Sequence, residues 1–460
     1  MPESKYDCIV IGSGPGGYVA AIRAAQLGLK TAVVEKGNVG GRCLNEACIP
    51  AKAMLRVAEV FMETQHAGDF GIKVEGSSVD YPGATKHRDK VIKTLTSGVA
   101  MLLEKNKVDL IEGFGSVTDD ANVKIGGQFD GTEIETDRVI LAVGSVPKPI
   151  LDMQFGKRVL DTAGMWLLNE QPKKLCVIGA GASGTEIASA LGRLGTEVTL
   201  IEALDQILPL EDPEIAKVVA RELKKQNVRI ETGAKVKAAN VSDPGITLDF
   251  NDESGEFDYV VIAAGRAPDV EGLGLEEAGI EREDNGLIKV DGNLRTSLKG
   301  VWAIGDMVPG PALAHKASDE GIIAVEDSAG MDVHPIDYAY VPAVTFCHPQ
   351  VASFGLTEKA AKEAGYDVVV GKVPMGAVGA PTVYGDRGGL IKLVGDKQYG
   401  ELIGGHIVSV KAADLIQELV NARELEGGYS EVARMIHAHP SFAEAVMEAA
   451  RATEGWLIHG

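Results

Sequence analysis

The sequence predicts an α/β protein with two parallel-sheet units and a separate α+β unit at its C-terminal end. The first observation is a strand–glycine turn–helix–strand pattern that occurs twice along the chain. The second is a content of 56 glycines in 460 residues, which cluster at turns and exceed the usual ~7%. The third is a change of character near residue 340, beyond which no such glycine turn occurs.

The first copy of the pattern begins with the apolar run 6–11, which is typical of a buried parallel strand. The turn GSGPGG occupies residues 12–17, and a helix over 18–27 and a strand over 29–34 follow, with Glu35 at the strand's end. The glycines at the fingerprint positions are Gly12, Gly14 and Gly17.

The second copy has a strand over 174–178, the turn GAGASG at 179–184, a helix over 185–194 and a strand over 197–201 that ends at Glu202. Its fingerprint glycines are Gly179, Gly181 and Gly184. In both copies 23 residues separate the first glycine from the acid. One such turn is weak evidence, but two in the same context predict two Rossmann-like dinucleotide sites.

Each residue type in this pattern has a physical reason. The first glycine permits a tight turn, the second lets backbone approach a pyrophosphate, and the third lets helix and strand pack closely. The helix N-terminus directs unpaired N–H groups at the phosphates. Glu35 and Glu202 would each accept hydrogen bonds from a ribose. Glu202 would also repel a 2′-phosphate, and no arginine immediately follows it, so the second site should prefer NAD to NADP.

Further predicted strands and helices indicate where the domains begin and end. Strands over 139–142, 259–263 and 301–304 end at glycine-containing turns. The last stretch has strands over 343–346 and 390–394 and helices over 411–422 and 429–436. We therefore predict domain boundaries after residues 148, 270 and 340.

The cysteines fall into two classes. Cys8, Cys176 and Cys347 stand alone and are interpreted as small buried hydrophobes. Cys43 and Cys48 lie close together in a glycine-flanked loop, which indicates redox or metal chemistry. Five residues of ideal helix separate two Cα atoms by about 7.5 Å of rise, whereas a disulfide needs about 6.8 Å or less.

If these two cysteines bond, the segment therefore cannot be a regular helix. The alternative is a pair of inert surface thiols. A zinc site is disfavoured because no second Cys/His pair follows at suitable spacing, and no metal is predicted.

Near the C-terminus, the segment IHAHPSFAE places Glu444 five residues after His439. A histidine and a carboxylate can act as a base and its orienting partner if the turn between them brings them together. His437 lies two residues before His439, and on chemistry alone either imidazole could be the base.

Charge and hydropathy exclude several classes of protein. With 45 Lys+Arg against 66 Asp+Glu the formal net charge is −21, which argues against binding to nucleic acid or an anionic membrane surface. No apolar stretch approaches the ~18 residues needed to span a bilayer. The N-terminal residues resemble neither a signal peptide nor a transit sequence, so we expect a cytoplasmic protein.

Taken together, these motifs resemble the pyridine nucleotide-disulfide oxidoreductases over essentially the whole chain. The most specific elements are the segment GGRCLNEACIPAK at residues 40–52, the two glycine turns, the Gly305-Asp306 turn and the ending His439-Pro440 with Glu444. The resemblance implies an FAD domain over 1–148 that is completed by 271–340, an NAD domain over 149–270, and a C-terminal interface domain over 341–460 that forms a homodimer.

The same resemblance implies the site residues. For FAD they are Gly12, Gly14, Gly17, Glu35, Lys52, Gly115, Gly144, Asp306 and Ala314. For NAD they are Gly179, Gly181, Gly184, Glu202, Val236 and Gly265. It also implies that Lys52, beside the flavin, pairs with Glu186.

The implied reaction is the oxidation of protein-bound dihydrolipoamide by NAD+ through FAD and a Cys43–Cys48 disulfide. His439, oriented by Glu444 and supplied by the opposite subunit, would deprotonate the dithiol, Cys43 would be attacked, and Cys48 would face the flavin. The partner would be the lipoyl-bearing domain of a 2-oxo acid dehydrogenase or glycine-cleavage complex.

The chain departs from the family pattern at several positions, among them Arg42, Glu46, Ala47, Ala51 and Asp269. A carboxylate at Glu46 should raise the thiol pKa values, and Arg42 supplies an opposing charge. Asp269 replaces the usual asparagine.

Three alternative functions share some of these motifs. Glutathione-type reductases use NADPH and carry arginines after the second turn, where this chain has Glu202. A mercuric reductase would carry a second cysteine pair at the C-terminus, and the tail over 454–460 has none. A non-catalytic flavoprotein subunit would not need the residues of the reaction, all of which are present.

Overall fold

The computed structural model of the protein describes residues 2–127, 130–151, 153–242 and 245–460. The chain divides into two compact units. The first unit comprises residues 1–53, 82–148 and 265–338, and the second comprises 54–81, 149–264 and 339–460. The boundaries predicted after residues 148, 270 and 340 stay predictions.

The helices of the described residues are α1 (Pro15–Gln26), α2 (Gly41–Asn45), α3 (Cys48–His66), α4 (Tyr81–Lys105), α5 (Thr162–Leu167), α6 (Ala182–Arg193), α7 (Pro213–Lys224), α8 (Ala314–Ser328), α9 (Glu358–Glu363), α10 (Gly379–Val383), α11 (Ala412–Glu424), α12 (Tyr429–Arg434) and α13 (Glu444–Thr453). Short 3-10 helices occupy Ala67–Phe70, Gly305–Met307, Tyr338–Tyr340 and Met375–Ala377.

The strands are β1 (Lys5–Tyr6), β2 (Cys8–Ile11), β3 (Thr31–Glu35), β4 (Asp109–Glu112), β5 (Phe114–Val117), β6 (Val123–Gly126), β7 (Thr132–Thr136), β8 (Val139–Leu141), β9 (Ser145–Pro147), β10 (Val159–Asp161), β11 (Lys174–Ile178), β12 (Glu197–Ile201), β13 (Val228–Glu231), β14 (Val236–Val241), β15 (Ile246–Phe250), β16 (Glu253–Phe257), β17 (Tyr259–Ile262), β18 (Arg266–Pro268), β19 (Val301–Ala303), β20 (Ala343–Thr345), β21 (Gln350–Gly355), β22 (Val368–Pro374), β23 (Leu390–Asp396) and β24 (Glu401–Ser409).

Each unit contains one five-stranded parallel sheet, and four of the five strands follow the same order in both sheets, whereas the edge strand is the last in the chain in one sheet and the first in the other. In the first unit the order is β19-β8-β2-β3-β4, and in the second it is β10-β17-β11-β12-β13. The central strand of each sheet, β2 or β11, pairs on one side with the next strand of its βαβ pattern and on the other with a strand much later in the chain. A ligand site is expected at such a switch point, beyond the carboxyl end of the central strand.

The remaining sheets are smaller or antiparallel. The first unit adds the sheet β1-β7-β6-β5 and the pair β18-β9, and the second adds the antiparallel sheet β14-β15-β16. The C-terminal stretch forms the antiparallel sheet β20-β21-β24-β23-β22, against which α11 and α13 pack. The predicted fold class, two Rossmann-like units and a C-terminal α+β region, is confirmed.

Burial explains why the sequence forms these sheets. Every residue of β2 is buried, as expected for a central parallel strand that is covered on both faces. Cys8, Cys176 and Cys347 are free and buried, which confirms their interpretation as core residues. In the described part of the chain, no helix is both long and apolar enough to cross a membrane.

Two helices begin three residues earlier than the sequence analysis predicts. Helix α1 begins at Pro15 and α6 at Ala182, directly after the second glycine of each turn. Proline is favoured in the first helical turn because its missing N–H would have no intrahelical partner there. The glycines at positions 16 and 17 therefore belong to a helix and not to a loop.

Candidate active site and nucleotide sites

Cys43 and Cys48 form a disulfide in the first unit. Cys43 lies in α2, which ends at Asn45, and Cys48 is the first residue of α3. The break between the two helices brings the Cα atoms to 4.8 Å from each other, closer than a continuous helix allows. The structure thus confirms both the pairing that the resemblance implies and the interruption that a disulfide requires.

Local backbone geometry sets the position of the cysteine segment. Gly40 and Gly41, which precede Cys43, have φ angles of +92° and +58°, a region that side chains rarely adopt. A Cβ on Gly41 would lie 2.7 Å from Cα of Gly14, so this segment packs directly on the first glycine turn. The Asn45 amide donates to the Gly41 carbonyl oxygen at 2.8 Å and to that of Val39 at 3.1 Å, which ties the end of α2 to the residue before its first turn.

Close in sequence to Glu46, whose carboxylate opposes a thiolate, Cys48 has positive groups in the helix that it begins. Its position at the N-terminus of α3 exposes it to the positive end of the helix dipole. Lys52 lies four residues later on the same helix, hence on the same face and one turn away.

The first glycine turn is shaped to receive a pyrophosphate. Gly12 has a φ of +99°, and a Cβ on Gly17 would lie 1.9 Å from the carbonyl oxygen of Gly12, so neither position tolerates a side chain. A Cβ on Gly14 would meet no protein atom within 4 Å, so this position faces open space. No side chain caps α1, whose N-terminal N–H groups point into that space.

Glu35 is buried at the end of β3 and binds the turn. Its Oε2 atom accepts hydrogen bonds from the backbone N–H of Ser13 at 2.8 Å and from the Ser13 hydroxyl at 2.6 Å. Its Oε1 atom accepts from the N–H of Gly37 at 2.7 Å. The Ser13 oxygen also accepts from the N–H of Gly40 at 3.1 Å, which connects the turn to the cysteine segment.

The second glycine turn repeats this geometry in the second unit. Gly179 has a φ of +99°, a Cβ on Gly184 would lie 1.9 Å from the Gly179 carbonyl oxygen, and one on Gly181 would face open space. Glu202 accepts from the N–H groups of Ala180 at 2.8 Å and Leu204 at 2.9 Å. Both turns therefore fit a dinucleotide by the same criteria: a glycine cradle, an uncapped helix N-terminus and an oriented carboxylate.

Asp306 lies in the short 3-10 helix Gly305–Met307 after β19. Its Oδ2 atom accepts a hydrogen bond from the hydroxyl of Ser145, and the Ser145 oxygen accepts from Nε of Arg266 at 2.8 Å. Sequence reasoning missed Ser145 and Arg266, which lie on the paired strands β9 and β18. Their three-residue strands were too short to recognise as a pair from the sequence.

The other residues predicted for FAD all lie in the first unit. Gly115 is buried in β5, where a Cβ would lie 3.1 Å from the Ile11 side chain. Gly144 follows β8, has a φ of +78° and faces open space. Ala314 is the first residue of α8. Whether these residues contact FAD stays a prediction.

The structure gives the positions of three other predicted residues, Glu186, Val236 and Gly265, but does not show whether they make the predicted contacts. Glu186 is buried in α6 of the second unit, where its Oε1 atom accepts from the N–H of Phe346 at 2.9 Å. Val236 begins β14 and is half-buried, and Gly265 precedes β18 in the first unit. The Lys52–Glu186 pairing and the contacts of Val236 and Gly265 with NAD stay predictions.

The structure distinguishes the two candidate imidazoles. The His439 side chain is 76% exposed, and its Nδ1 atom lies 2.8 Å from Oε1 of Glu444. Oε2 of Glu444 accepts from the N–H of Ser441 at 2.8 Å. Burial raises the pKa of Glu444, but the Ser441 N–H and His439 outweigh it, so the net shift is downward and the carboxylate form is favoured.

His437 is occupied on both ring nitrogens and is only 7% exposed in its side chain. Nε2 lies 2.5 Å from Oε1 of Glu418, and Nδ1 lies 3.1 Å from the carbonyl oxygen of Met435. The Glu418 hydrogen bond raises the pKa of His437. His439 is therefore the accessible imidazole of the two, and its role as the base stays a prediction.

The unusual Asp269 has a partner. Its Oδ2 atom lies 2.6 Å from Nζ of Lys36, the residue that follows Glu35. An asparagine oxygen could also accept a hydrogen bond from that ammonium, but the aspartate carboxylate adds the opposite charge and makes the contact an ion pair.

The chain is similar to known proteins over nearly its whole length. Residues 6–321 match the family model described as pyridine nucleotide-disulphide oxidoreductase, and residues 341–450 match the dimerisation domain of the same family. The dihydrolipoyl dehydrogenase of Bacillus subtilis is 42% identical over 460 residues, covering 98% of this chain and 97% of the relative. The mitochondrial dihydrolipoyl dehydrogenase of Pisum sativum is 39% identical, covering 99% of this chain and 93% of that one.

Solved structures agree with this result. LpdA from Mycobacterium tuberculosis superposes with a TM-score of 0.90 at 26% identity, covering 96% of this chain and 99% of that one. The HOCl-induced flavoprotein disulfide reductase RclA from Escherichia coli has a TM-score of 0.86 at 27% identity, covering 96% and 98% of the two chains.

Proposed function

We propose, from the premise that this chain belongs to the pyridine nucleotide-disulphide oxidoreductase family, that it is a dihydrolipoyl dehydrogenase. It oxidises protein-bound dihydrolipoamide to lipoamide and reduces NAD+ to NADH. The observation that carries the proposal is the Cys43–Cys48 disulfide packed against the first glycine turn. Relatives 42% and 41% identical over nearly the whole chain bear that name.

The dithiol half of the reaction is thiol–disulfide exchange. A lipoyl thiolate attacks Sγ of Cys43, the bond to Cys48 breaks, and Cys48 leaves as the thiolate. The second lipoyl thiol then attacks the lipoyl sulfur that is bonded to Cys43. This closes the lipoyl disulfide and leaves both cysteines reduced. The helix N-terminus and Lys52 favour Cys48 as the leaving thiolate.

His439 supplies the base for this step. Since its Nδ1–H is donated to Glu444, Nε2 keeps its lone pair and can take the proton of the first lipoyl thiol. The Glu444 carboxylate then stabilises the imidazolium that forms.

Two nucleotides complete the cycle. The first glycine turn, Glu35 and Asp306 would hold FAD, and the second turn and Glu202 would hold NAD. Held by these residues, FAD would supply the two-electron redox chemistry that links the cysteine pair to NAD+. The Glu202 carboxylate disfavours a 2′-phosphate, so NAD is preferred over NADP.

The working form is a homodimer in which His439 of one copy serves Cys43 of the other. The match of residues 341–450 to a dimerisation domain and the exposure of His439 support this arrangement. The dithiol substrate is carried by the lipoyl domain of a 2-oxo acid dehydrogenase or glycine-cleavage complex. The cytoplasmic location expected from the sequence belongs to the same proposal.

The activity is tested by steady-state assays with free dihydrolipoamide and NAD+, beside NADP+ and, with NADPH, glutathione disulfide. We expect turnover with dihydrolipoamide and NAD+, and loss of it in Cys48→Ser with FAD still bound. Turnover of glutathione disulfide by NADPH with no lipoamide activity would refute the proposal. Cys347→Ser, which removes a buried free thiol, is the control and should keep its activity.

The shared site is tested by complementation. Cys48→Ser and His439→Ala dimers are each expected to be inactive. If sites form across copies, mixed dimers reassociated from the two contain one site with both native residues, and activity returns. If each copy carries its own complete site, the mixed dimers stay inactive.

A further inference from the structure

We propose that the buried pair Lys316–Glu320 is a positioning device for Asp306 and therefore for the binding of FAD, an inference that rests on the FAD site of the proposed function. Both residues belong to α8, four positions apart, and Lys316 Nζ lies 3.0 Å from Glu320 Oε1. Both side chains are fully shielded from solvent.

The pair binds both backbone groups of one glycine. Gly305 donates its N–H to Oε2 of Glu320 at 2.7 Å, and its carbonyl oxygen accepts from Nζ of Lys316 at 2.9 Å. Gly305 directly precedes Asp306 and has a φ of +80°, which glycine tolerates and other residues rarely adopt. The peptide planes on either side of Gly305 are thus both fixed, and the second of them carries Asp306.

Tyr338 closes the cluster. Its hydroxyl donates to Oε1 of Glu320 at 2.5 Å, and its ring lies 5.4 Å from the ammonium of Lys316. Burial raises the pKa of Glu320, and Lys316 is the first of the groups that oppose this rise. Every polar atom of the pair named here has a partner, which makes the arrangement rigid.

Stability alone does not account for this arrangement. A buried ion pair is often no more stabilising than hydrophobic residues of similar volume, because desolvation of the two charges cancels their attraction. Hydrophobic residues, however, cannot bind the N–H and carbonyl oxygen of Gly305. What the pair contributes beyond packing is the orientation of the Gly305–Asp306 turn.

The test is the double variant Lys316→Met/Glu320→Leu, which removes both charges together and avoids a lone buried one. FAD affinity is measured by titrating apoprotein with FAD, and folding by the thermal midpoint of the same apoprotein. We expect a midpoint close to that of the unchanged protein and FAD binding at least about tenfold weaker. Should the double variant not fold, Lys316→Met/Glu320→Gln removes both charges and the donor to the Gly305 carbonyl oxygen but keeps the size of residue 320; weaker FAD binding at an unchanged midpoint is expected, and unchanged FAD affinity would overturn the inference.

The matched control is Lys392→Met in the second unit. Lys392 is similarly buried and lies 2.8 Å from Oδ2 of Asp212. This variant should lose thermal stability and keep its FAD affinity. Equal weakening of FAD binding by Lys392→Met would show that the effect is general destabilisation, and would overturn the inference.

A double-mutant cycle separates positioning from bulk structure. If Lys316 and Glu320 act through Asp306, then adding Asp306→Ala to the double variant costs no further FAD affinity. Full additivity, or unchanged FAD affinity in the double variant, would overturn the inference and leave the proposed function standing. Failure of the unchanged protein to bind FAD would instead overturn the proposed function.

Discussion

The two glycine turns are nearly identical in geometry but differ in what they are attached to. In the first turn the Ser13 hydroxyl binds Glu35 and accepts from Gly40, and Gly41 packs against Gly14. In the second turn Ala180 takes the place of Ser13 and contributes only its backbone N–H to its acid. The first turn is therefore fastened to the cysteine segment through a side chain that the second lacks.

This difference suits two kinds of nucleotide. A cofactor that stays bound through the cycle must keep a fixed position relative to the cysteines, so its turn and the cysteine segment are joined. A nucleotide that enters and leaves at each turnover needs an open cradle and an oriented acid. The two turns share one βαβ pattern, and the Ser13 bridge would suit the first to a resident cofactor and its absence the second to an exchanging one.

The largest expected effect is that of an added methyl group at the third fingerprint glycine. In Gly17→Ala or Gly184→Ala the new Cβ would lie 1.9 Å from a backbone carbonyl oxygen, a clash of about 3 kcal/mol. Gly17→Ala should lose FAD, whereas Gly184→Ala should retain it and raise KM for NAD+ at least tenfold. Flavin absorbance and steady-state kinetics measure both.

The control for this pair is Gly181→Ala, whose Cβ meets no protein atom. It should leave the thermal midpoint unchanged while weakening NAD+ binding. If Gly17→Ala and Gly184→Ala impair the same nucleotide, the two turns do not have separate ligands.

The stability of the second unit should depend on pH through Glu211, which lies in the loop that follows Glu202. Burial raises the pKa of Glu211 to about 7, and its Oε2 atom has no hydrogen-bond partner. Because the folded-state pKa is raised, this contribution to stability is complete below the ordinary value near 4.5 and is lost as pH rises through about 7.

Glu211→Gln should therefore remove about 2.5 kcal/mol of the fall in unfolding free energy between pH 5 and pH 8. Denaturant melts at the two pH values measure it. Glu222→Gln, a substitution on the neighbouring helix α7, is the comparison. If Glu211→Gln and the unchanged protein respond equally to pH, Glu211 is not the group that titrates.

Removing the charge of the strand-end acid should have an intermediate effect. Glu202→Gln loses charge-assisted hydrogen bonds, and we expect KM for NAD+ to rise about tenfold, or about 1.4 kcal/mol, with weaker discrimination against NADP+. Glu35→Gln should leave KM for NAD+ unchanged and weaken FAD binding. If Glu35→Gln changed only KM for NAD+, the first turn would bind NAD and the second FAD.

The smallest effect tests the attachment itself. Ser13→Ala makes the first turn resemble the second and should cost about 1 kcal/mol of apoprotein stability together with several-fold weaker FAD binding. Ala180→Ser, the reciprocal change, should leave NAD+ kinetics unaltered. Equal and negligible effects of the two substitutions would mean that the Ser13 bridge does not distinguish the turns.

Much of this architecture could be predicted from the sequence because it is local. The strand–turn–helix pattern, the 23-residue spacing to the acid and the need to interrupt a helix between Cys43 and Cys48 depend only on residues near one another in the chain. The helices that begin at Pro15 and Ala182 were predicted three residues late, because glycine has a low helix propensity and the last glycines of each turn therefore indicate a loop.

The supports of the site were missed for the opposite reason. Ser145 and Arg266 meet through a pair of three-residue strands separated by more than a hundred residues. Lys316 and Glu320 stand at ordinary i,i+4 helical spacing, typical of an exposed ion pair. Only the packing of α8 against the Gly305 turn buries them and gives them a backbone to bind.

Residue order alone predicts two dinucleotide cradles with their acids, a cysteine pair that cannot lie in one helix if it bonds, and two possible bases. These follow from backbone sterics and spacing, which act within a few residues. Tertiary structure decided that His439 and not His437 is accessible, that Ser13 fastens one turn to the cysteines, and that a buried ion pair fixes the backbone before Asp306. Burial and long-range hydrogen bonds arise only when distant segments pack together, so no local pattern encodes them.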